Sequence, residues 1–156
     1  MGKILNTKHL LASLVFLTGM TACGGEECTE TVVSSVISDF VYPSGIRPSL
    51  TAHILGLETD TFLFENNSDL KAVPLLLDPD TTFTRLRLEF NLSDTTVSDT
   101  VTFYHQNSPF FLSMNCGCSM FYTLDTIEHT NNIITEIEIK NPSVTNEKKP
   151  NITINL

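Results

Sequence analysis

The sequence predicts an all-β domain, an antiparallel β-sandwich of the immunoglobulin-like or a related kind, with about seven to nine short strands. Three observations predict it. Downstream of Cys28 the dominant hydrophobic period is two, no window of roughly eleven residues carries a helical apolar stripe, and turn clusters recur at short intervals. Threonine is also unusually abundant, and a β-branched side chain suits a half-buried pleated surface.

The strands follow in order. In Val32–Val41, Val32, Ser34, Val36, Ser38 and Phe40 alternate with Val33, Ser35, Ile37, Asp39 and Val41, so both faces have apolar members. Tyr42-Pro43-Ser44-Gly45 ends it; Ser49–Leu57 and Thr61–Glu65 follow, closed by Asn66-Asn67-Ser68-Asp69. Val73–Leu77 runs into the turn Asp78-Pro79-Asp80. The plainest half-buried strand is next: Phe83, Arg85, Arg87 and Glu89 alternate with Thr84, Leu86, Leu88 and Phe90. Ser93–Ser98 reads as a loop, Thr100–His105 as a strand and Gln106-Asn107-Ser108-Pro109 as a turn. Phe110-Phe111-Leu112, near Phe121 and Tyr122, is expected in the core, since such a run is more often buried than an exposed patch for a partner. Cys116–Leu124 comes next. Then Ile133, Thr135, Ile137 and Ile139 form a dry face against Glu136, Glu138 and Lys140. Asn141–Pro150, with its two prolines, reads as a linker before a last strand at Ile152–Leu156. Strands this short and uneven fit two packed sheets better than a closed barrel.

The first residues obey other rules. Met1–His9 carries two lysines and no acid, Leu10–Leu17 is an apolar run too short to span a bilayer, and small or polar residues lead to Cys23. Those are the parts of a secretory leader. Met20-Thr21-Ala22-Cys23 resembles a lipobox, with Met20 where Leu is usual; the resemblance implies that Cys23 becomes the lipid-modified first residue of the mature protein. Gly24-Gly25-Glu26-Glu27 resembles the acidic export signal of Bacteroidetes-type surface lipoproteins. The expected organisation is therefore a lipoprotein signal peptide at 1–22, a lipidated acidic tether at 23–30 and one β-sandwich domain at 31–156. The expected address is the outer membrane, at the cell surface, with the periplasmic leaflet as the alternative. The membrane is thus a partner through the lipid, held stably by two or three acyl chains where one would hold only marginally.

Loss of Lys3 and Lys8 with the leader leaves seven basic residues against eighteen acidic ones, a formal −11. No basic stripe exists to displace phosphate counterions, which excludes nucleic acid as a partner. With Cys23 acylated, Cys28, Cys116 and Cys118 remain. Cys116 and Cys118 lie two apart on one strand with diverging directions, so a bond between them is disfavoured. Cys28 is expected to bridge to Cys116, with Cys118 as the alternative; the residue left over is buried as a small apolar group or free. Such a bridge closes nearly ninety residues and contributes about 4 kcal/mol through loop-closure entropy. A zinc site from these thiols and a histidine is the rival, against which the Cys-x-Cys spacing and oxidation both count. No cofactor or metal is expected.

Residues spread along the chain carry a further resemblance: Glu27-Cys28-Thr29-Glu30, Leu55-Gly56-Leu57 with Asp60-Thr61, Val73-Pro74-Leu75 with Asp80-Thr81-Thr82, Asp99-Thr100-Val101-Thr102-Phe103, and Asn115-Cys116-Gly117. Together they are similar to a domain-of-unknown-function family of small Bacteroidetes-type lipoproteins. The resemblance implies an all-β domain with no assigned activity, and Cys118 departs from its pattern.

Chemistry-bearing motifs are few. Asp-Thr steps recur, and those at Thr81, Thr95, Thr100 and Thr126 resemble the acceptor of Bacteroidetes-type O-glycosylation, with Thr95 best placed in a polar loop. The alternative use of the aspartates is turn capping. Asp78, Asp80, Asp94 and Asp99 are expected as solvated turn residues rather than calcium ligands. His53, His105 and His129 stand at no catalytic spacing, and neither a nucleophile elbow nor a phosphate loop is present. The expectation is a non-catalytic, lipid-anchored cell-envelope protein that serves structure or protein–protein interaction. A glycan- or ligand-binding accessory module is the alternative, favoured if tyrosine or phenylalanine is exposed on one sheet face.

Overall fold

The computed structural model describes residues 28, 32–45, 48–55 and 61–156. Ten strands lie among them: β1 (Val36–Val41), β2 (Ser49–Leu55), β3 (Thr61–Asn67), β4 (Val73–Leu75), β5 (Phe83–Asn91), β6 (Thr96–Ser113), β7 (Gly117–His129), β8 (Glu136–Ile139), β9 (Ser143–Val144) and β10 (Ile152–Asn155). They form a four-stranded sheet, β4-β1-β10-β8, and a six-stranded sheet, β3-β2-β5-β6-β7-β9. Every pairing is antiparallel except the parallel one between β1 and β10. The fold is an all-β sandwich.

Alternation builds the core. β5 buries Thr84, Leu86, Leu88 and Phe90 on one face and turns Arg85, Arg87 and Glu89 outward, as its sequence pattern dictates. Those leucines meet Val36, Phe40, Val73, Leu75, Ile152 and Ile154 of the other sheet in one apolar cluster. Phe40 and Phe90 cross the interlayer space edge to face, with centroids 5.9 Å apart.

Four expectations are corrected. The strands are not all short: β6 runs for 18 residues and β7 for 13. Gln106–Pro109, expected as a turn, lies inside β6, because the ladder with β7 continues through Asn107↔Tyr122, Ser108↔Phe121 and Pro109↔Met120. The expected loop at Ser93–Ser98 shrinks to a tight reversal in which Leu92 N–H donates to Thr95 O at 2.8 Å, and Thr96 already belongs to β6. The Asn141–Pro150 linker holds β9, whose Val144 is buried opposite Tyr122. Asn151 fastens the end of that segment: its side chain donates to Asn141 O and Ser143 O and accepts from Ile37 N–H.

Asp99, expected in a solvated turn, is almost fully buried within β6. Its Oδ1 accepts from Thr130 Oγ1 and Asn132 N–H, and its Oδ2 from the N–H groups of Ile133 and Ile134, each backbone bond at 2.8 Å. One carboxylate thus replaces the strand partners that the β7–β8 turn lacks. Burial raises the Asp99 pKa, and the four hydrogen bonds outweigh it, so the carboxyl lies below the ordinary aspartate value of 3.8.

Candidate functional site

The fold sets one part of β6 and β7 apart from the rest. β5 accompanies β6 only as far as Phe83↔Tyr104, and β9 touches β7 only at Tyr122 and Thr123. Where that support ends, the β6–β7 register shifts: Tyr104 pairs with Thr126 but His105 with Leu124, leaving Asp125 as a bulge residue held by Gln106 Nε2 at 3.1 Å. Residues 78–82 brace the next stretch through single hydrogen bonds rather than as a strand. His105 N–H donates to Thr82 O, and Asn107 Nδ2 donates to Pro79 O and Thr81 O. Beyond them, among the described residues, Ser108–Ser113 and Gly117–Phe121 pair only with each other.

The tip of this ribbon is apolar and exposed at Phe110 and Phe111, while Leu112, Met120 and Phe121 are half-buried, which corrects the expectation that Phe110-Phe111-Leu112 is core. Phe110 is 50% exposed, Phe111 56% and Met114, in the turn, 90%. Phe110 stacks on Phe121 at 4.6 Å between centroids, a diagonal cross-strand pair on one face. Gln106–Leu124 contains no Asp, Glu, Lys or Arg, although the whole chain has 27 such residues.

Cys116, in the turn, is disulfide-bonded to Cys28, with Cα atoms 4.9 Å apart. Cys118 is exposed and unbridged, not buried. Gly117, between them, has φ +72°, a left-handed conformation that glycine adopts without a Cβ penalty. A second tie lies nearby, where the Ser119 hydroxyl donates to Val32 O and lies 3.4 Å from Ser34 Oγ. The tip of the ribbon is thereby fastened to the segment that leads into β1.

A buried polar cluster sits at the base. Asn107 Nδ2 donates twice, so its Oδ1 must accept, at 2.7 Å, from His105 Nδ1–H. His105 Nε2 then accepts from the Thr84 hydroxyl at 2.9 Å, and Thr84 Oγ1 in turn accepts from Asp78 N–H. Burial holds the imidazole below its ordinary value of 6.5, against the opposing pull of Asn107, Asp78 and Asp125. Hydroxyl, imidazole and amide follow the order of a nucleophile, base and orienting group. Thr84 is nonetheless buried, and the adjoining cavity is small, about 90 Å³. The cluster acts as a bracket between β5, β6 and the 78–82 loop. Sequence spacing could not reveal it, because 21 residues separate Thr84 from His105.

Other features lie elsewhere. On the outward face of the six-stranded sheet, Phe83 and Tyr104 are directly opposed and both exposed, and Tyr104 donates to Glu128 Oε2 at 3.1 Å. On the other sheet, Ser35, Ile37, Pro74 and Leu76 and the 145–148 loop line a cleft of about 380 Å³. Buried His53 has its Nε2 3.7 Å from Glu89 Oε2. Among the described residues no three His, Cys, Asp or Glu are grouped to hold a metal ion. The threonines divide: Thr95 and Thr126 are exposed, whereas Thr81 and Thr100 are half-buried. Cys23 and the leader lie outside the described residues.

Residues 51–156 match the family of unknown function DUF6452. The chain belongs to this family. The matched segment contains the whole hairpin, Cys116 and Asp99, while β1 and Cys28 lie upstream of it. No curated protein and no solved structure matches the chain.

Proposed function

We propose that this DUF6452 member is a non-catalytic, lipid-anchored cell-envelope protein that acts by contact, as a structural or protein–protein interaction element. The observation that carries the reading is the charge-free aromatic ribbon extending past the sandwich and disulfide-bonded to Cys28, five residues after Cys23. A contact surface needs exposed apolar area on a rigid support, and this hairpin has both. Buried Asp99 and His105 favour the same reading, since each is engaged in holding backbone or neighbouring strands. The anchor is the acylated Cys23, in the outer membrane and facing the cell surface, with the periplasmic leaflet as the alternative. Thr95, exposed beside Asp94, is the first candidate for O-glycosylation, ahead of Thr126.

Labelled palmitate tests the anchor. Incorporation into the wild-type chain and its loss in Cys23→Ser, with release from the membrane fraction, is the expected result. Unchanged fractionation of Cys23→Ser would overturn it. The intact mass of the same material reads out glycosylation: a value equal to the lipidated polypeptide removes the threonine proposal.

A glycan- or ligand-binding module is the second reading, favoured by Phe83 and Tyr104 side by side on one sheet face. Loss of glycan-array binding in Tyr104→Ala would support it, whereas equal binding by both chains would count against it.

A further inference from the structure

The hairpin needs a contact partner, and the covalent layout selects one. We infer that the β6–β7 tip docks on the lipid surface in which the protein is anchored, with Phe110, Phe111 and Met114 inserted among the headgroups. The inference rests on the proposed acylation of Cys23 and names the partner of the contact surface described above.

Reach is the first argument. Five residues separate Cys23 from Cys28, so their α-carbons are at most about 18 Å apart even in a fully extended chain. Cys28 is bonded to Cys116, two residues from Met114. The acyl chains and the tip are therefore held within a few residues of each other. The opposite end of β6, at Thr96, lies up to about 60 Å away along an 18-residue strand. The disulfide and the Ser119–Val32 bond together set the ribbon tip, rather than the Thr96 end, beside the anchored segment.

Chemistry is the second. A surface entering a headgroup layer must not strip water from charges, and Gln106–Leu124 has none. It must also offer apolar side chains, and three of the most exposed ones in the described residues lie at the tip. Interfacial elements bury phenylalanine and leucine to a depth of about 5–10 Å. Insertion stops there, because the turn's backbone groups need water that the hydrocarbon core does not supply. A protein partner would use the same side chains, but nothing would then place the lipid attachment beside them.

The chain has no tryptophan, so one introduced residue reports alone. Full-length acylated Met114→Trp is reconstituted into phosphatidylethanolamine–phosphatidylglycerol vesicles with brominated acyl chains. Thr95→Trp, at the far end of β6, is the control. Docking predicts that Met114→Trp shifts to the blue and loses emission to the brominated chains, as the interfacial depth of such elements requires, while Thr95→Trp keeps its emission. Adding Phe110→Ser and Phe111→Ser should abolish the quenching while the chain still floats with the vesicles. Quenching that survives these two changes would mean proximity by tether alone and overturn docking. So would a floating chain with Met114→Trp unquenched, equal quenching at both positions, or a blue shift that tracks protein concentration rather than lipid, the sign of a protein partner. A chain that does not float at all overturns the anchor, and docking with it.

Discussion

Phe103 and Phe111 lie eight residues apart on one strand, yet Phe103 is fully buried and Phe111 is 56% exposed. The two halves of the β6–β7 ladder explain the difference. In the body, β6 has β5 on one side and β7 on the other, with the four-stranded sheet across the core. In the distal ribbon, among the described residues, the same strands pair only with each other, and Met120 alone of its apolar side chains packs against the core besides the Ser119 tie to residues 32–34. Residue type and alternation are shared; the third strand and the second layer are not. Burial follows from that non-local support. A two-stranded ribbon alone is marginal in water, so the tip's disulfide, its Ser119–Val32 bond and its aromatic stack supply what the missing layers would.

The sharpest way to break this comparison is to truncate one phenylalanine in each half. Phe103→Ala should lower the unfolding free energy by ~3–5 kcal/mol, since it opens a cavity in a closed core. Phe111→Ala should stay within about 0.5 kcal/mol, as exposed substitutions do. Denaturant titration measures both, and similar losses would mean that the ribbon is packed after all. Next in size is the tie itself. Replacing both Cys28 and Cys116 with serine, so that the exposed Cys118 finds no partner to exchange with, should cost up to about 4 kcal/mol by loop-closure entropy. A variant as stable as the parent would show that other contacts of residues 32–35 hold the tip.

These halves also differ in how far they could be read from sequence. The body was legible because alternation suffices where both neighbours exist: β5 carries its burial pattern openly in Thr84, Leu86, Leu88 and Phe90. In the ribbon, Gln106-Asn107-Ser108-Pro109 has turn composition, yet ladder hydrogen bonds with β7 hold it extended. Phe110-Phe111-Leu112 has core composition, yet the layer that would cover it ends before it. Asp99 misled for a related reason. An aspartate ahead of a threonine reads as a turn cap, and it does cap a turn, but one more than thirty residues downstream. Of the surface side chains, Phe83 and Tyr104 come together only through the β5–β6 register, which no local pattern fixes.

Acid separates the two regions in a further way. His105, at the base of the ribbon, is held neutral by burial, with its pKa below 6.5. The unfolded chain takes up that proton more readily than the folded one, so the contribution is complete above about pH 6.5. It is lost as the pH falls toward the folded value. Asp99 in the body has the same sign at lower pH: its contribution is full above about 3.8 and is lost as the pH falls through the still lower folded value. Two successive declines in melting temperature are the expected outcome. His105→Gln should remove the first and Asp99→Asn the second. A single decline common to all three chains would sever these groups from the acid response.

The smallest effect isolates the ribbon's own cohesion. Phe110 and Phe121 stack with ring planes 11° apart, and neither belongs to the buried core cluster, so their attraction adds to the ribbon's own cohesion. Single alanine substitutions at each position and the pair together form a double-mutant cycle whose coupling should be about 0.5–1 kcal/mol, the ordinary worth of an aromatic pair beyond its area. That is small beside the cost of truncating Phe103, but it is local, and it acts where β5 and β9 have already ended. Zero coupling would mean that the disulfide and Ser119 alone keep the ribbon straight, leaving its aromatic rings free to turn toward whatever surface they meet.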